Sequence, residues 1–241
     1  MLKHKDWDRH VAEAEEVSRS PGFRLLRDAI LERAEPRPDD RVLDVGAGTG
    51  LLTLALAGRV EHTWALDISP AMCSYLETKA ASAGAANVEV VVGSAVSLPL
   101  VEDSVDLVVS NYCLHHLSVE DKRRALAEVH RVLAPGGRLV LGDMMFGVAL
   151  TGSRDREVVL SKVKAMLRKG PAGLLRLAKN AFRFLLVRQE RPARPEWWGD
   201  AIREAGFAEV EVEAMRHEGG IARARKPALA RTPSDLSAVA R

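Results

Sequence analysis

Apolar positions along this chain change period in a regular way. Residues 41–45, 62–67, 88–92, 105–110 and 138–143 are short, Val- and Leu-rich runs suited to strands buried on both faces. Residues 50–58, 70–83 and 119–133 carry apolar positions at the three- and four-residue spacing of helices. This alternation predicts an α/β fold whose parallel sheet is covered by helices on both sides. Phe207 to Met215 and Gly220 to Arg225 then alternate apolar and polar residues, as an antiparallel strand pair would, behind a helix over 196–205.

The flanks read differently. Residues 1–35 look mainly helical, divided by Pro21-Gly22 and stopped by Pro36-Arg37-Pro38. They carry His4, Trp7 and His10 either as a flap over a site or as a surface helix that docks through Trp7, the usual fate of a terminal segment. The expected organisation is one domain over residues 1–226. It comprises a helical cap (1–40), a core (41–145), a helical insert (146–195) and the final helix and strand pair (196–226), followed by a polar, disordered tail (227–241).

The chain has 241 residues, enough for one large α/β domain, and no apolar run reaches the 18 or more residues of a spanning helix. Cys73 and Cys113 are the only cysteines, which fits a reducing cytoplasm better than a disulfide framework, and no His/Cys spacing suggests a metal site. The formal charge of +2 hides a local excess: residues 154–194 hold 12 Lys or Arg against 3 Asp or Glu. In 174–188, Arg176, Lys179 and Arg183 lie opposite Leu174, Ala178, Ala181, Phe182 and Leu185. Such helices dock as a lid, lie on anionic lipid (residues 158–188, at the inner face of the membrane) or track phosphates. Phe182, Phe184, Trp197 and Trp198 line an apolar acceptor site on one reading and pack a core on the other.

The chemistry centres on Val42-Leu-Asp-Val-Gly-Ala-Gly-Thr-Gly50, a buried strand running into three alternating glycines. The spacing is Gly-x-Gly-x-Gly, with Leu51 where a dinucleotide loop needs its last glycine. Asp44 suits a cationic amino group and repels a pyrophosphate, and Asp67, 17 residues beyond Gly50, is placed to accept hydrogen bonds from a ribose diol. A nucleoside carrying an amino acid fits these charges better than a nucleotide.

With these residues the chain resembles the class I S-adenosylmethionine-dependent methyltransferases. The glycine loop resembles their cofactor loop, Leu66-Asp-Ile-Ser-Pro-Ala-Met72 their ribose turn and Leu133-Ala-Pro-Gly-Gly-Arg-Leu139 the turn before their fifth strand. Asp106 to Leu117 resembles the fourth strand and following loop of the small-molecule branch that includes quinone-biosynthesis methyltransferases. The resemblance implies a Rossmann-like seven-stranded sheet with an antiparallel last strand, a helical lid and S-adenosylmethionine as cofactor. It assigns Asp44 and Gly46 to the methionine end and Asp67 to the ribose. Ile68, Met72 and Ser94 fall to the adenine side, and Ala47, Gly48, Ala95 and Asn111 complete the cofactor set. Ser94 stands where many relatives have Asp, and as a neutral partner contributes about 1 kcal/mol rather than about twice that.

Methyl transfer needs positioning above all, and a base only when the acceptor loses a proton. His115 and His116 follow the fourth strand, and His116 is the preferred base because it matches the histidine of phosphoethanolamine-type relatives. Both have a packing role as the alternative. No proline occurs in residues 110–116, which disfavours methylation of nucleic-acid base amines. The expected acceptor is small or lipid-like, a quinone precursor or a phospholipid amine. The alternatives are an RNA methyltransferase and a non-catalytic cofactor-binding protein acting through its basic surface.

Overall fold

The computed structural model describes residues 6–146, 160, 163, 167, 170, 191–215 and 219–228. A 3-10 turn at Trp7–His10 leads into α1 (Val11–Ser18) and α2 (Pro21–Ala34). Then follow β1 (Arg41–Val45), α3 (Thr53–Leu56), β2 (His62–Asp67), α4 (Pro70–Ser82), β3 (Val88–Val92) and β4 (Val105–Asn111). A second 3-10 turn (Leu114–His116), α5 (Val119–Val132) and β5 (Leu133–Met144) complete this half. The chain continues through α6 (Pro195–Glu204), β6 (Ala208–Ala214) and β7 (Gly219–Arg225). The seven strands lie in the order β3-β2-β1-β4-β5-β7-β6, with β7 antiparallel to both its neighbours and β1 to β5 parallel.

Local chemistry sets the element ends. Ser69 and Ser118 cap α4 and α5 by accepting hydrogen bonds from Met72 N (3.2 Å) and Asp121 N (3.0 Å). Pro21, Pro70 and Pro195 open their helices where no donor is lost. Alternate residues of each central strand feed two cores. Leu43, Val45 and Val108 pack with Leu126 of α5 and Trp198 and Ile202 of α6; Val42, Leu107, Val109 and Val140 pack with Leu26 and Ile30 of α2.

Two elements differ from the periodicity. Helix α3 is only four residues long rather than 50–58, because Gly50 holds a left-handed φ of +87° and helical geometry starts only beyond it. The Pro135-Gly136-Gly137 turn is an irregularity inside β5, whose pairing to β4 jumps from Val105↔Leu133 to Leu107↔Arg138. Most of the basic insert (146–195), including all of 174–188, and the tail beyond residue 228 lie outside the described residues. No helix among the described residues is long and apolar enough to cross a membrane.

Candidate functional site

The chain reverses direction across the sheet between β1 and β4, so the carboxyl ends of those strands bound a crevice where open α/β sheets bind ligands. Into it runs the glycine loop. Gly46 N and Ala47 N donate to Leu66 O (2.8 and 2.9 Å), tying the loop to β2 through backbone alone. A Cβ on Gly46 would lie 2.2 Å from Cys113 Sγ, and one on Gly50 would lie 2.3 Å from Leu76 Cδ1. A Cβ on Gly48, by contrast, would meet nothing within 4 Å. The outer glycines thus let the loop sink between its neighbours, while the middle one leaves bare backbone facing open space. Gly46→Ala is expected to cost about 2–4 kcal/mol in urea unfolding, from overpacking against Cys113 and left-handed strain at φ +74°. An undiminished unfolding midpoint would show that Cys113 yields instead.

Two acids sit beneath and beside this loop. Asp44 alternates with Leu43 and Val45, so it faces α3, where it is 1% exposed and accepts the Thr53 hydroxyl (2.6 Å). Burial pushes its carboxyl up to about 7, opposed by the Thr53 bonds and assisted by the charge of Asp67. At the end of β2, Asp67 accepts Gly48 N through Oδ2 and Ser69 N through Oδ1, both at 2.9 Å. Burial raises its carboxyl as well. Asp44, desolvated and disfavoured as an anion by the charge of Asp67, is a carboxyl that a cationic ligand would help to ionise.

The remaining cofactor candidates surround the same crevice. Ile68 is 51% exposed, an apolar surface beside Asp67, whereas Met72 is buried under the start of α4 and Ala47 packs with Ala65 and Leu76. Ser94 Oγ accepts Val96 N at 3.4 Å, and Ser94 and Ala95 are half-buried in the turn after β3. Asn111 ends β4, and its Oδ1 is buried without a hydrogen-bond partner. A bare loop, two raised carboxyls and an orphaned acceptor fit the cationic methionine end of S-adenosylmethionine, and Ile68 offers a face for its purine.

The amino-terminal turn crosses this crevice. Asp8 Oδ1 accepts Ser69 Oγ (2.5 Å) and Ala71 N (3.1 Å) at the start of α4, and the Ser69 bond holds its carboxyl below the usual range. On the other side the Trp7 ring meets His116 edge-on at 4.7 Å. Glu15 of α1 pairs with Lys79 (2.9 Å), which also donates to Thr49 O of the glycine loop (3.0 Å). Trp7 therefore docks at the candidate site rather than elsewhere on the surface, and the segment spans from the turn after β2 to the histidine loop. Asp8→Ala is expected to speed cofactor release about tenfold in stopped-flow measurements with little change in melting temperature.

On the far side, Tyr112 takes a left-handed φ of +51° and stacks on Phe23 with ring centres 4.4 Å apart. Beyond it His115 is 5% exposed and points Nδ1 at Asp143 Oδ1 (2.6 Å), while Asp143 Oδ2 accepts its backbone N–H (2.9 Å). The half-buried His116 ring lies 3.9 Å from that of His115 and packs against Trp7. Preference for His116 therefore meets a structure in which, among the described residues, a carboxylate orients the ring of His115. Asp143, which closes β5, is the functional candidate that sequence reading passed over. Its one signal was a charge ending an apolar strand, the feature that picked out Asp67. Burial raises the Cys113 thiol well above its usual range and that of Cys73 to about 11, so neither is a thiolate near neutral pH. Trp198 lies in the core, and Phe182 and Phe184 fall outside the described residues.

Comparison with known proteins agrees with the fold. A family model described as a methyltransferase domain matches residues 42–137. The demethylmenaquinone methyltransferase of Clavibacter sepedonicus is 32% identical over 189 residues, 78% of this chain and 73% of that protein. The uncharacterized methyltransferase YcgJ of Bacillus subtilis is 39% identical over 114 residues, 47% of this chain and 44% of that protein. Among solved structures, a SAM-dependent methyltransferase from Aquifex aeolicus superposes with a TM-score of 0.62 at 20% identity, covering 90% of this chain and 98% of that one, a likeness of fold. The chain belongs to the class I S-adenosylmethionine-dependent methyltransferases. It spans about half the length of several of the curated relatives that it matches.

Proposed function

We propose that this protein methylates a small, ring-bearing acceptor of the quinol type, with His115 as general base and Asp143 as the group that orients it. The observation that carries the reading is the 2.6 Å contact between His115 Nδ1 and Asp143, both buried at the carboxyl end of the sheet. A carboxylate at Nδ1 fixes the tautomer, leaving the lone pair on Nε2 to take the proton that an acceptor hydroxyl or ring carbon gives up. Asp44, Asp67, Asn111 and the loop backbone would hold S-adenosylmethionine, which when bound supplies an electrophilic methyl group. The rings of Phe23, Tyr112, His116 and Trp7 surround the histidine loop and favour a flat acceptor. The name of the Clavibacter relative points the same way.

The test incubates the protein with methyl-labelled cofactor and, in parallel, a reduced demethylnaphthoquinone, phosphatidylethanolamine vesicles and total RNA. Label is expected in the quinol and at least a hundredfold less with His115→Ala. Label in nuclease-sensitive material would replace this reading with the RNA one. The surplus of nine cations over residues 154–194 supports contact with anionic lipid. Co-sedimentation with anionic but not neutral vesicles at low salt is its check.

A further inference from the structure

Lys122 breaks three local rules at once. It is 0% exposed, it occupies the first turn of α5, where the helix dipole opposes a cation, and among the described residues no carboxylate pairs with it. A Met of nearly the same length would pack there without desolvating a charge. What offsets that cost is what the ammonium holds: it lies 5.9 Å from the centre of the Trp197 ring and donates to two backbone carbonyls.

Its Nζ donates to Leu117 O (3.1 Å) and to Arg191 O (2.5 Å). Arg191 N in turn donates to His115 O at 2.7 Å. These bonds close a ring through His115, Arg191, Lys122 and Leu117, gripping the 3-10 turn on both sides of His116 and joining it to the strand of chain that re-enters the core after the insert. Asp143 is near enough for its charge to favour the ammonium against burial, which pulls Lys122 down to about 8.

We propose that Lys122 is a positioning residue for the His115–Asp143 pair: by bridging the carbonyls of Leu117 and Arg191 it fixes the histidine turn against the returning chain. The inference takes His115 as the base of the proposed reaction, and the test reads the imidazole directly so that the two can fail separately.

The imidazole proton shared with Asp143 is followed by NMR as a downfield resonance, assigned by its loss in His115→Gln. In Lys122→Met this proton is expected to exchange with solvent about tenfold faster, because the turn opens locally more often. The same variant should lower kcat about tenfold with the KM for cofactor unchanged, and Lys122→Arg, which keeps a cation and its donors, should restore both. An unaltered resonance in Lys122→Met overturns the proposal, as does equal loss in the Met and Arg variants with a matching fall in melting temperature. If Lys122→Met does not fold, Lys122→Gln, which replaces the ammonium with a shorter neutral amide, is read in the same way, and an unaltered resonance there overturns the proposal. Faster exchange in a protein whose wild type methylates no quinol leaves the positioning role standing and removes the reaction.

Discussion

Asp143→Asn is expected to bind cofactor within about twofold of wild type and to lower kcat about a thousandfold. Asp143 accepts three hydrogens: the His115 imidazole and Met144 N (2.7 Å) at Oδ1, and His115 N at Oδ2. An amide can accept only through its single oxygen. If that oxygen keeps the two Oδ1 contacts, His115 N loses its acceptor in a buried turn. If it stays with His115 N, the amide N–H faces the imidazole, Nδ1 becomes the acceptor and the proton moves to Nε2, where no base remains. Either arrangement costs the base or its placement while leaving Asp44, Asp67 and the glycine loop untouched. Single-turnover methyl transfer at saturating cofactor is the measurement. A decrease of less than about fivefold would leave acceptor positioning alone to account for turnover.

The parts of this site legible in the sequence are those whose chemistry is local. Val42 to Gly50 stands out as a candidate ligand loop because a buried strand, an acid and three glycines must be contiguous to bring backbone to a ligand. Asp67 is legible for the same reason, ending one strand and opening one turn. The order of β7 between β5 and β6 is not, since Ala208 to Ala214 and Gly219 to Arg225 alternate in the same way whichever of them meets β5. Asp143 and His115 lie 28 residues apart and meet only because β4 and β5 are neighbours. Lys122 looks like one more charge at the start of an amphipathic helix, with Asp121 and Arg123 beside it, until Arg191 returns across it. Trp7 likewise has no meaning in the sequence until Asp8 reaches Ser69, 61 residues away, and swings the indole onto His116.

Cofactor affinity is expected to rise about tenfold per pH unit between pH 5.5 and about 7 and then level off, with close to one proton released on binding at the lower end. In the free protein Asp44 holds its proton up to about pH 7 because it is buried and the charge of Asp67 further disfavours its anion. A cationic ligand reverses that balance, since its positive charge stabilises the carboxylate, so binding and deprotonation are linked. The same group governs stability with the opposite trend. Its folded pKa lies above the unfolded value of 3.8, so native protein binds the extra proton between about pH 4 and 7 and stability falls as pH rises through that window. Over the full window the loss amounts to about 4 kcal/mol from this one carboxyl. Asp44→Asn, which cannot ionise, should therefore melt at a higher temperature than wild type at pH 8 and at nearly the same temperature at pH 5. Its cofactor affinity should be weak and flat with pH. Calorimetric titrations in two buffers of different ionisation enthalpy measure the released proton directly. An affinity independent of pH from 5.5 to 8 would mean that Asp44 stays neutral beneath the loop and supports it only through Thr53.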